Sequence, residues 1–333
     1  MSKKRYEEVD LLKGIGIVLM IMGHIPFEKE IVRLIYVFHM PLFFIMSGFL
    51  YKKRFFSKTV IWKWAKRMIV PYFIFAVLGL SLWMLEIKPS SLFQAIQPIK
   101  SIIWINTDGM PINGAIWYLT ATLIVYLLYC FIDSYVINPL IKTMLIAVLM
   151  VVGFLLGKMR IVLPMGGSTA MVGIGFFYSG LLFKKYYSLL LKKVNLNKFF
   201  GIGFISCGLV MSFIGYCNGY VSMRTGNYGN NPAVFYLAAF IVTCVLLYVA
   251  SIFVNNLSDI FAVKWLKSVG RNSIVYLGMN ELIINIVGSL AGKFIKLTYD
   301  YKLVTFIFSC LALSCIVEIL KRVNCLKRLF FLS

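Results

Sequence analysis

Of the 333 residues, 61% are hydrophobic and only 14% charged, with a mean hydropathy of +0.87. A soluble domain carries about 25% charged residues, so this composition excludes both a soluble globular fold and a disordered chain. The net charge of +22 has no basic soluble domain to sit on. It therefore reads as a membrane-topology signal and an attraction to anionic membrane lipid, not as a nucleic-acid partner surface.

The apolar residues come in runs close to the roughly 20 that span a bilayer as a helix. They fill whole segments instead of alternating, which favours helices over a barrel. Ten spans are predicted, near residues 9–26, 31–50, 68–86, 113–132, 139–157, 165–183, 199–217, 232–254, 273–291 and 303–320. The expected fold class is an all-α polytopic membrane protein, with residues 1–333 forming one membrane domain. The first span follows Lys3, Lys4 and Arg5 as a signal peptide would. Its core, however, holds His24 and leads into Pro26 and Phe27 with no small-residue cleavage site, so it is expected to be retained. With the N-terminus in the cytoplasm, the cytoplasmic segments collect 23 Lys and Arg and the outer loops 10. That bias is what the positive-inside rule expects, and it places both termini in the cytoplasm.

Both histidines of the chain, His24 and His39, fall in the first hairpin, DLLKGIGIVLMIMGHIPFEKEIVRLIYVFHMPLFFIMSGF. Ionisable groups inside apolar spans are costly and usually face the bundle interior, where they serve a proton, ion or substrate. Imidazole is the side chain suited to proton transfer near neutral pH. At 1.5 Å per residue, His24 lies about 21 Å along the first helix from Asp10, and His39 about 12 Å into the descent from Ile31. Both are thus expected in the outer half of the membrane. Asp10 and Lys13, at i, i+3, can form a local ion pair, and Gly14 and Gly16 allow close helix approach. Pro41 is expected to break the second helix just below His39.

The seven cysteines show no CxxC pair or Cys/His metal spacing, and neither a metal site nor a disulfide framework is expected.

DLLKGIGIVLMIMGH, then FHMPLFFIMSGF and a basic stretch ending KRMIVPY, resemble the family-3 integral-membrane acyltransferases, in the flavour of the fucose 4-O-acetylase-like group. GAIWYL at 114–119, YGNNPAVFYL at 228–237 and VGRNSIVYL at 269–277 follow in the family's order. The resemblance implies transfer of an acyl group, usually acetyl from cytoplasmic acetyl-CoA, to a hydroxyl of an envelope glycan or its lipid-linked precursor. It places the family's histidines on His24 and His39, and its acyl-CoA-holding basic stretch around Lys66 and Arg67. Where family members often carry a further histidine, this chain has Asn280.

On this reading His24 is the expected base toward a sugar hydroxyl, and His39 orients it, binds the acceptor or carries the acetyl group. Asn113, Asn280 and Arg271 are candidate oxyanion donors. The segment KKRFFSKTVIWKWAKR supplies Arg54, Lys66 and Arg67 for the phosphates of the donor, although lipid binding and topology explain the same charge. The stretch 217–231, with Arg224 and Tyr228, is a candidate acceptor surface, though turn formation accounts equally for its Gly and Asn content. The segment 87–112, with Trp104, Asn106 and Asp108, is a second. Asp10, Trp117 and Glu281 complete the candidate substrate-binding residues, Glu281 as a proton partner or a packing charge. The expected location is a bacterial plasma membrane. The alternative is a proton-coupled transporter or flippase of a glycan precursor, against which the lack of internal repeats argues; a catalytically silent partner of a polysaccharide synthase is a third reading.

Overall fold

The computed structural model describes residues 5–104, 113–196, 198–293, 295, 299–330 and 332. The helices, in chain order, are α1 (Glu7–Gly23), α2 (Lys29–Tyr36), α3 (His39–Phe49), α4 (Lys58–Ile87), α5 (Leu92–Trp104), α6 (Trp117–Tyr135) and α7 (Pro139–Lys158). They continue as α8 (Gly167–Leu196), α9 (Lys198–Cys217), α10 (Pro232–Leu257), α11 (Phe261–Arg271), α12 (Ser273–Ala291), α13 (Tyr299–Arg322) and α14 (Asn324–Leu329). Among the described residues, nine helical stretches are long and apolar enough to cross a membrane, the first being α2 with α3. The protein is thus all-α and polytopic, as predicted.

The remaining predicted span, the first in the chain, is α1, whose 17 residues reach about 25 Å. That is a little short of the ~30 Å hydrocarbon core, and its buried residues run round the helix because it lies inside the bundle. The span containing α6 is likewise interior, 78% buried, whereas those of α7 and α9 are 17% buried and form the periphery. Local chemistry sets the helix starts. Asn138 and Asn231 cap α7 and α10 by accepting from the amides two and three residues on, each with proline at the first helical position.

Small residues let the central helices touch. Gly14 of α1 lies against the backbone carbonyl of Leu266, and Gly270 of α11 against that of Asp10, so a side chain at either position would strike backbone. Gly48 and Gly180 make the same kind of crossing between α3 and α8. Without water to drive burial, close packing of this kind is what holds membrane helices together.

Several expectations are corrected. The break in the second helix falls at Val37 and Phe38, above His39, rather than below it. Pro41 sits in the first turn of α3, where its missing N–H leaves no bond unmade. Asp10 does not pair with Lys13; its Oδ2 takes Arg5 Nε at 2.6 Å and Arg271 Nε at 3.2 Å. α4 starts ten residues before the predicted span and α8 runs on to Leu196. The connecting segment 255–272 contains α11, which packs along α1. Residues Val221–Ser222 and Asn227–Tyr228 form a short antiparallel ribbon, β1 and β2, pairing Val221 with Tyr228. Of the second candidate acceptor segment, Trp104 is exposed at the end of α5, while Asn106 and Asp108 lie outside the described residues.

Candidate active site

Two cavities open toward opposite ends of α1. The first, of about 210 Å³, lies at its C-terminal end and is lined by His24, His39, Met20, Met40, Trp117, Tyr36 and the ribbon residues Tyr220 to Thr225. The second, of about 400 Å³, lies along its N-terminal half, with Lys13, Lys52, Arg54, Lys63, Arg67 and Arg271 in its wall. Among the described residues no carboxylate lines this basic cavity.

His24 follows the last residue of α1, and its Nδ1 lies 3.4 Å from Glu281 Oε1. The carboxylate is fixed from its other side. Oε2 accepts from the Gly114 amide at 2.6 Å, and Oε1 from the Ala115 amide at 3.1 Å. These are the free N–H groups opening the 3-10 turn Gly114–Ile116, the place where backbone geometry favours an anion. The turn is reached through Asn113, which adopts a left-handed conformation at φ 74°. The buried Asn113 amide donates to the carbonyls of Phe75 and Gly278, at 3.2 and 2.8 Å. Asn113 therefore ties α4, α12 and the turn together.

His39 is positioned by the helix break. Its Nδ1 lies 3.0 Å from the Ile35 carbonyl oxygen, which can only accept, so Nδ1 carries the proton and Nε2 is left as an acceptor. The Glu281 carboxylate favours the same Nδ1–H tautomer in His24. The Tyr36 ring lies 4.7 Å from that of His39 and 5.7 Å from that of Tyr220, and the Tyr36 hydroxyl donates to the Gly23 carbonyl. A non-helical backbone at this depth is tolerable because it borders a cavity.

In the basic cavity the Arg67 guanidinium lies 5.4 Å from the Trp64 ring centre, and Trp64 stacks on Tyr126 at 3.6 Å. The two cavities share a thin partition. On α6, Trp117 faces the first and the adjacent Tyr118 the second; on α3, Met40 faces the first and Phe43, one turn on, the second. Phe43 and Phe44 hold Tyr118 between them at 5.8 and 4.9 Å.

The structure thus brings His24, His39, Trp117, Arg224 and Glu281 to one place, and Arg54 and Arg67 to the other. Lys66 points to the exterior, outside the lining. Asp10 lies beneath the basic cavity as the partner of Arg271, which is itself far from the histidines. Asn280 is buried, its amide donating to the Leu277 carbonyl, and lines neither cavity. Tyr228 packs edge-on against Phe154 at 4.8 Å and steadies the ribbon. Sequence reasoning had overlooked Tyr36, Tyr220 and the cavity position of Lys13. The signal for Lys13 was a cation inside an apolar span.

Among known families, an acyltransferase domain matches residues 6–322, a stretch that includes every residue lining the two cavities except Phe330. No curated protein and no solved structure matches the chain.

Proposed function

This chain belongs to the family 3 acyltransferases, and we propose that it is an O-acetyltransferase moving acetyl from cytoplasmic acetyl-CoA to a hydroxyl of an exopolysaccharide, capsule or other envelope glycan. The observation that carries the proposal is the pair of cavities placed back to back, one cationic and one holding both histidines, with about one helical turn between them. Six cations in a wall that no carboxylate lines among the described residues suit the phosphates of the donor, with Arg54 and Arg67 offering forked donors. The stacked Trp64–Tyr126 pair offers an aromatic face for the adenine. The Lys and Arg bias supports a cytoplasmic side for this cavity, and an outer side for the histidine cavity, where, in a bacterial plasma membrane, an envelope glycan or its lipid-linked precursor is met.

In the reaction, Nε2 of His24 takes the proton of the acceptor hydroxyl as the hydroxyl oxygen attacks the thioester carbonyl carbon. The C–S bond then breaks, its electron pair leaves on sulfur, and the proton passes from His24 to the thiolate. The imidazolium formed in between is stabilised by the Glu281 carboxylate, already held in place by two backbone amides. His39, its Nδ1 proton committed to Ile35, presents Nε2 to hold the acceptor hydroxyl. The thioester reaches the histidines at the Phe43–Tyr118 partition.

The test uses membrane vesicles containing the full chain, radiolabelled acetyl-CoA and the cell's own glycan after mild alkaline removal of its esters. The proposal expects base-labile label on the glycan, abolished by His24→Ala without a change in donor KM. Label transfer indifferent to His24→Ala, or movement of glycan across the membrane with its chemistry unchanged, overturns it. The latter result is the one a transporter gives.

A further inference from the structure

The histidine cavity has a charge pattern that the transfer reaction alone does not require. Among the described residues its lining carries one permanent charge, the guanidinium of Arg224. Glu281 stands behind the wall, occupied by two amides and His24. Arg224 forms no ion pair or hydrogen bond among the described residues. Elsewhere Arg5 and Arg271 share Asp10, while Arg33 lies over the Tyr216 ring and Arg67 over Trp64. A half-buried guanidinium with no anion in direct hydrogen-bonded contact is a costly arrangement unless something else supplies one.

The position of Arg224 is also fixed. It stands at the tip of the ribbon, between β1 and β2. Thr169 Oγ1 of α8 donates to the Met223 carbonyl at 2.8 Å, and the Asn218 amide donates to the carbonyls of Tyr228 and Asn231 at 3.2 and 3.1 Å. The guanidinium rests on the bare Cα of Gly114, where a side-chain carbon would collide with its Nη1. The same spot is 3.6 Å from Glu281 Oε1, so the cation stands beside the His24–Glu281 pair. Around it the rings of Tyr36, Tyr220 and Trp117 offer apolar faces to a sugar.

Resting on the acyltransferase reading, we propose that Arg224 holds an anionic group of the acceptor, a carboxylate or a phosphate, so that the substrate is an acidic glycan whose reacting hydroxyl is thereby set at His24. The planar fork of arginine matches either group with two parallel hydrogen bonds. One such anchor plus an aromatic face defines both the position and the orientation of a ring. An oxyanion-stabilising role for Arg224 makes a different prediction. Its loss lowers kcat for every acceptor, whereas loss of an anchor acts through KM and only on acidic ones.

The experiment has two parts. The glycan of cells carrying the protein is compared by NMR with that of a deletion strain, and the ester missing from the second is located. It is expected on a sugar that bears a carboxylate or phosphate, or on the sugar bonded to one. An ester on a run of neutral sugars overturns the proposal. The absence of any missing ester overturns the acyltransferase reading itself, and with it this one.

In vesicles supplied with acetyl-CoA and the de-esterified glycan, Arg224→Gln is then expected to raise acceptor KM roughly 10- to 100-fold, the value of a charged hydrogen bond or two, with kcat and donor KM unchanged. Gly114→Ala keeps the charge but pushes the guanidinium aside. Only the end of a flexible side chain has to move, so the chain still folds, and the same rise in KM is expected. With the glycan's carboxylates reduced or its phosphates removed, wild type and Arg224→Gln should be indistinguishable. An equal fall in kcat on native and neutralised glycan assigns Arg224 to the oxyanion and overturns the anchor.

Discussion

Glu281 of α12 stands behind His24 at the wall of the histidine cavity, Oε1 to Nδ1 at 3.4 Å, while the same carboxylate accepts two amides of the 3-10 turn. In the proposed reaction one side chain therefore orients the base, balances its charge and closes a backbone turn. Glu281→Gln separates these duties. One of the two accepting oxygens becomes an NH2 group that can only donate, so either the Gly114 or the Ala115 amide loses its acceptor, and leaving one buried amide unpaired costs about 1–3 kcal/mol. The expected result is a lower melting temperature in detergent together with a fall in kcat. His24→Ala should lower kcat by roughly 10²- to 10⁴-fold with little change in melting temperature. A Glu281→Gln protein that keeps full kcat would contradict the pairing.

Arg67 and Arg54 face the basic cavity, whereas Lys66 faces away. Arg67→Gln is expected to raise donor KM roughly 10-fold or more, the loss of one charge-assisted hydrogen bond. Lys66→Gln should leave donor KM unchanged. Equal effects of the two substitutions, read in initial-rate kinetics at varied acetyl-CoA, would mean that general surface charge and not the cavity recognises the donor.

The partition between the cavities predicts a block that spares binding. Phe43→Trp thickens it on the donor side, against Tyr118 and the bare Gly16. Donor KM should hold while kcat falls, because the thioester stops short of the acceptor. A substitution here that leaves kcat intact would move the path of the acyl group elsewhere.

Gly270 lies on the Asp10 carbonyl with no space for a methyl group. Gly270→Ala should cost about 1–3 kcal/mol through overpacking, seen as a lower melting temperature. It should also lower activity, because α1 carries His24. Unchanged stability would show that α11 is not braced on α1.

The α1–α11 contact has a pH signature as well. The hydrogen bond from Lys267, 2.8 Å from Glu7 Oε2, holds the Glu7 carboxyl below its usual value, with Lys267, Arg271 and Arg5 adding charge and partial burial opposing them. A lowered carboxylate pKa contributes stability that is present above the unfolded value and is lost as pH falls through the folded one. The wild type should therefore lose more stability than Glu7→Gln on acidification from pH 5 downward, in melting curves taken at each pH. Parallel losses would deny the link. Because Glu7 is 43% exposed, the difference should be small and should shrink with salt.

How much was legible follows from what each signal measures. Apolar runs marked the bundle, and the two intramembrane histidines marked the cavity, because both reflect the cost of polar groups in lipid. The same criterion misplaced the helix ends: α4 and α8 continue through basic residues such as Lys63 and Lys185, which remain helical where hydropathy has already fallen. It missed α11, a short amphipathic helix that packs on α1 and sets its Lys267 and Arg271 on Glu7 and Asp10 there. Asp10 found Arg271 instead of Lys13 because α11 brings the arginine across from the far end of the chain, a contact without local sequence spacing. Glu281 could be seen as a buried acid, but its partner at His24 depends on how α12 crosses α1.

The most direct measurement is NMR of the surface glycan from cells with the wild-type protein, with the gene deleted, and with His24→Ala at equal protein level. The account predicts that a base-labile acetyl signal is lost in both altered strains while glycan yield stays normal. An unchanged acetyl pattern with less glycan at the surface would contradict it.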